Sequence, residues 1–183
     1  FFTIGSTIMF DAIAYTKVRG FPKKSAGEDF YLLNKLAKLG EVAFIKDAKI
    51  TLEARLSDRV PFGTGPAVSK VLSLQKECKE YSYYHPQVFD HLKHSLIAFE
   101  SLWTQIKLDE SWQTLFSIES VQALKSIGFE RFIEKHSTDA EKQFNKQLVV
   151  WFDGFKTLKF IHALRDNGLH NIPLKEIVNI KAF

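Results

Sequence analysis

Cysteine is all but absent from this 183-residue chain, where Cys78 stands alone. A single thiol cannot close an internal disulfide. That excludes a disulfide-stapled secreted domain and makes a reducing, cytoplasmic compartment the expectation. Cys78 itself reads as a spectator. Long apolar runs are missing as well, and none approaches the ~20 residues that cross a bilayer. No phosphate loop, Gly-x-Gly-x-x-Gly or Ser-His-Asp order is found, which removes the commonest nucleotide-binding and hydrolase signatures. Neither sign of charge dominates: Lys and Arg total 25 against 21 Asp and Glu, for a net charge of +4. The charges are interleaved, so the clustered basic face of a nucleic-acid binder is not expected. The mild surplus suits an anionic small molecule or peripheral contact with a membrane surface.

What the chain does have is a globular composition, 45% hydrophobic and 25% charged, with 17 Phe and 3 Trp. Two stretches differ. Residues 1–66 mix β-like runs with helical ones, and residues 67–183 are helical in pattern. The expected class is therefore α+β, predominantly α. Strands are expected at 2–10, 42–45 and 49–52, with no β content after 66. Asp11 is placed to cap a helix over 12–18. Phe30, Leu33, Leu36 and Ala37 recur at helical spacing within 27–39, where Gly40 is the expected stop.

In the helical module, Val68, Val71 and Leu72 begin a helix that runs toward Tyr81. Pro86 opens one that carries Val88, Leu92, Leu96, Phe99, Trp103 and Ile106 on a single face. Trp112, Leu115 and Phe116 mark the next, and Val121, Leu124 and Ile127 another that Gly128 closes. Phe129, Phe132 and Ile133 make a short one. Thr138-Asp139-Ala140-Glu141 has the form of a capping box. It would open a long helix through Phe144, Leu148, Trp151, Phe155 and Leu158, ending at Asn167-Gly168. Pro173 starts the last. The aromatics on these faces are expected to be core, since large rings are mostly buried anchors; an exposed Trp stacking on carbohydrate is the alternative.

Chemistry centres on Gly27-Glu28-Asp29-Phe30. On spacing alone, Glu28 and Asp29 are ordinary first-turn acids favoured by the helix dipole. Their flanks are more particular. Upstream stand Gly5-Ser6-Thr7 and Arg19-Gly20-Phe21-Pro22. Downstream come Ala54-Arg55-Leu56-Ser57-Asp58-Arg59 and Phe62-Gly63-Thr64-Gly65. This ordered set, over residues 3 to 70, resembles the second half of the catalytic domain of family-two inverting glycosyltransferases, which have the A-type nucleotide-sugar fold. The turn here is one glycine short of the family's Gly-Gly-Phe.

The resemblance implies a division of labour. Asp29 would be the base that deprotonates an acceptor hydroxyl, and Glu28 would orient the acceptor or Asp29. Ser6 would touch the acceptor. Arg55 and Arg59 would face the developing charge of a nucleoside diphosphate. The processive Gln-x-x-Arg-Trp motif is absent, which argues against a polymer synthase. A divalent cation, Mg or Mn, is implied, held by an Asp-x-Asp motif that these residues lack. The chain opens on Phe1-Phe2 inside a β-like run, so it is expected to be the C-terminal part of a longer enzyme, inactive by itself. Residues 67–183 would serve acceptor binding, membrane association or homodimer formation. The rival expectation is a non-catalytic helical binding or dimerisation protein. His91 and His94, three residues apart on a helix, lack a third ligand at convincing spacing, so no metal site is expected in this chain.

Overall fold

The computed structural model describes residues 7–25, 27–45, 47–51, 53, 56 and 63–180, apart from the Thr64 side chain. The chain divides into two compact units, residues 1–80 and 81–183. The division suggested by composition fell after 66; contacts place the helix that begins at Thr64 with the first unit.

In the first unit, α1 (Ala12–Lys17) starts as expected at Asp11, whose Oδ1 accepts from the Ala14 N–H at 2.8 Å. It ends in two successive left-handed residues, Arg19 (φ 60°) and Gly20 (φ 66°). Gly20 is buried. A Cβ there would lie 2.8 Å from Tyr15 Oη and 2.9 Å from its Cζ, so only glycine fits. The same Tyr15 ring stacks on Phe10 at 4.9 Å and meets the edge of Phe21 at 5.9 Å, and its Oη accepts from the Phe21 N–H. Helix α2 (Glu28–Leu36) buries Leu32, Leu33 and Asn34. Lys35 Nζ donates to the Val18 carbonyl at 3.2 Å, which ties α2 to the end of α1. The expected stop at Gly40 is corrected: the helix ends at Leu36, and Gly40 does not take up a left-handed φ. Helix α3 (Thr64–Lys76) starts three residues before residue 67, where the helical pattern was expected to begin.

The expected β content is also corrected. Residues 8–10, 42–45 and 49–51 form no strand; residues 1–6 and 52 lie outside the described residues. The β pairing among the described residues is in the second unit, where β1 (Ser82–Tyr83) runs antiparallel to β2 (Ile172–Pro173). Ser82 faces Pro173, and Tyr83 faces Ile172.

Between those strands lie α4 (Gln87–Ala98), α5 (Leu102–Lys107), a 3-10 turn (Trp112–Leu115), α6 (Ile118–Ser126), α7 (Phe129–His136), α8 (Glu141–Trp151) and α9 (Gly154–Asp166), and α10 (Leu174–Asn179) follows β2. Helix α9 packs on α4 and α6, α7 on α6 and α8, and α5 on α8. Their shared interior is aromatic. Phe129 touches Phe99, Phe132, Trp112 and Trp151, with ring centres between 5.0 and 5.9 Å apart. All three Trp are half-buried against this core, as expected of anchors. Trp103 also donates its indole N–H to the Asp139 carbonyl.

Two expected long helices are broken. The run from Val88 to Ile106 turns at 99–101, and the run from Phe144 to Leu158 turns at 152–153. At the second break Asp153 is extended and caps α9, its Oδ1 accepting from the Phe155 and Lys156 N–H groups at 3.1 and 3.2 Å. Thr138 caps nothing: α8 starts after Ala140 with no side-chain cap. Lys156 closes the other end of α6 by donating to the Ile127 carbonyl while lying 4.6 Å over the Trp151 ring. Burial holds its ammonium below the usual lysine pKa.

Candidate functional site

Gly27, with φ 73°, leads into α2 and has no side chain to cap it. Asp29 takes over part of that role, its Oδ1 accepting from the Phe30 N–H at 2.7 Å. Its carboxylate is half-buried, whereas Glu28 is exposed. Neither makes an ion pair with a described residue; Lys24 lies 5.2 Å over the Tyr31 ring. Asp29 is thus a fixed acid with one oxygen engaged by the helix end. A carboxylate so placed can accept a proton from an alcohol brought to its other oxygen. Ser6, Arg55 and Arg59 lie outside the described residues, so only Glu28 and Asp29 of the expected set are brought together.

A second polar constellation is found in the other unit. A cavity of about 110 Å³ is walled by His91, His94 and Ser95 of α4, by Ser117 and Ser120 at the start of α6, and by Phe116. Ser117 is the N-cap of α6, its Oγ accepting from the Ser120 N–H at 3.2 Å. His91 Nδ1 lies 3.1 Å from Ser117 Oγ and 3.2 Å from Ser120 Oγ. Glu119, exposed beside them, is held below the usual carboxylate pKa. The largest cause is a hydrogen bond from its own backbone N–H, followed by one from Ser117 and by the charge of His91. Ser95 is 1% exposed, and its hydroxyl has no hydrogen-bond partner among the described residues.

The histidine pair was visible in the sequence as a weak metal motif. The structure gives His91 two serine partners, and among the described residues no group of three or more His, Cys, Asp or Glu could hold a metal ion. The serines escaped the sequence because they are common residues drawn from two separate segments. No described helix is long and apolar enough to cross a membrane. No family model, curated protein or solved structure matches the chain.

Proposed function

We propose that the chain is the acceptor side of a nucleotide-sugar-dependent inverting glycosyltransferase of the family-two kind, working in the cytoplasm. One arrangement supports this reading most. A turn that admits only glycine, Arg19-Gly20-Phe21, precedes a helix whose side-chain-free entrance leaves Asp29 half-buried and without an ion pair among the described residues. In the reaction the acceptor oxygen attacks the anomeric carbon, and Asp29 takes the hydroxyl proton. The bond from that carbon to the phosphate oxygen breaks, and the nucleoside diphosphate leaves with the electron pair. Glu28 orients the acceptor, Ser6 contacts it, and Arg55 and Arg59 balance the charge of the leaving group. The reading places the donor pocket and the ligands of its Mg or Mn outside these residues. When bound, that cation would stabilise the departing diphosphate.

The test is transfer of a labelled sugar by the intact polypeptide. A positioned base contributes about a hundredfold to ten-thousandfold. Asp29→Asn is therefore expected to cost at least about a hundredfold in transfer while leaving the circular dichroism spectrum unchanged; near-normal turnover rejects Asp29 as the base. The 183 residues alone are expected to be inactive.

One observation favours the rival reading of a binding or dimerisation protein. Ile118, Val149 and Val178 are 74%, 76% and 76% exposed in the second unit. Light scattering distinguishes the two: a stable dimer lost on Val149→Glu supports assembly, and a monomer with intact transfer removes it.

A further inference from the structure

We propose that the cavity between α4 and α6 is a binding site for a small oxyanion, a phosphate or carboxylate group. The inference stands independently of the glycosyltransferase reading. It begins with Ser95. This residue lines the cavity, is 1% exposed, and keeps a hydroxyl that no described residue pairs. A serine hydroxyl can donate once and accept twice, and leaving it unmatched in the interior is costly. Something that brings its own oxygen atoms relieves that cost.

Proton accounting shows what the occupant should offer. Ser117 has one hydroxyl proton, and its hydrogen bond to Ser120 Oγ, at 3.2 Å, uses it. With its proton on Nδ1, the imidazole of His91 donates to Ser117 and Ser120, at 3.1 and 3.2 Å. Ser120 is left with a proton of its own to give, as is Ser95. The cavity therefore offers two hydroxyl donors and the ring of His94, and it asks for an acceptor.

Charge points the same way. The ionisable groups in the cavity wall are imidazoles, with no carboxylate among the wall residues. The cavity lies at the N-terminal end of the nine-residue α6, where the helix dipole favours negative charge. Glu119 stands outside, exposed and engaged by its own backbone N–H. The volume, about 110 Å³, holds several waters at roughly 10–15 Å³ each and so admits a tetrahedral or planar oxyanion.

The experiment titrates the full 183-residue chain with inorganic phosphate and, separately, with acetate. It is run near pH 6, where imidazoles are partly protonated, at constant ionic strength in chloride. Saturable NMR shifts are expected on the rings of His91 and His94 and on the Ser120 amide. Phosphate alone identifies a phosphoryl ligand, acetate alone a carboxylate, and both identify a site for the shared chemistry. Ser95→Ala is expected to melt no lower than the parent, since it removes an unmatched hydroxyl, yet to bind about tenfold more weakly. His94→Gln, at an exposed position, should weaken binding without changing the melting temperature. Flat titrations with both anions mean that water alone fills the cavity and overturn the proposal, and so do shifts that persist unchanged in both variants.

Discussion

The two units achieve order by different means. The second buries Val88, Phe99, Leu102, Phe129, Phe144, Phe160 and their neighbours in one continuous cluster. In the first, the buried apolar side chains among the described residues are Leu32 and Leu33. Its geometry is fixed instead by local backbone devices: the Asp11 cap, the left-handed Arg19-Gly20 pair under the Tyr15 ring, and the bond from Lys35 to Val18. An aromatic core distributes a perturbation over every helix that touches it. A backbone device confines a perturbation to its own turn.

The strongest test of that contrast is Phe129→Ala. Removing a fully buried ring that contacts five other aromatics should cost about 3–5 kcal/mol. Hydrogen exchange should then show lost protection throughout residues 87–164 and little change over residues 12–36. Equal loss in both regions would erase the distinction. Gly20→Ala comes next. It imposes a strained φ and drives a methyl into Tyr15, for about 1–3 kcal/mol. Its effect should be limited to α1 and α2, with the far-ultraviolet signal of the second unit intact, and Tyr15→Phe should not rescue it because the ring carbon Cζ also clashes.

Smaller effects sharpen the picture within the second unit. Asp153→Ala removes the cap of α9 and should cost about 1 kcal/mol by urea unfolding, with Asp153→Asn largely neutral. The smallest is a pH effect. Tyr84 Oη lies 2.9 Å from His162 Nε2, and burial, aided by Arg165, holds this histidine below its usual pKa. The unfolded chain then binds the proton more readily than the folded one. Stability should therefore fall as pH drops from about 6.5 toward the lowered folded value. His162→Gln should flatten that slope in melts across the window.

Legibility in the sequence follows the same division. Helices in the second unit were readable because Val121, Leu124 and Ile127, or Phe144 and Leu148, repeat at helical spacing. Their breaks were not. Apolar stepping continues across both turns because the helices on either side serve one core, Leu92 and Trp103 at the first and Trp151 and Phe160 at the second. Asp153-Gly154 was the available signal and was outweighed by period. The β1–β2 pair was invisible because two residues cannot show alternation, and one of the four is Pro173. In the first unit β-rich composition at 42–45 and 49–51 suggested strands, yet no sheet partner is formed there among the described residues. The candidate acids were legible because a cap and a first turn are local in sequence. The cavity was half legible: His91 and His94 share one helix, but Ser95 acquires meaning only through its missing partner, and Ser117 and Ser120 only through folding.

The pairing of Ser82 with Pro173 and of Tyr83 with Ile172 brings together positions about ninety residues apart. Where the chain enters the second unit is thus beside where it leaves the bundle for α10. A segment with adjacent ends can be grafted into a host loop with little distortion of the host. Residues 82–173 are accordingly a natural cassette for transplantation, and tension applied between its two borders would load this small clasp ahead of the helices it encloses.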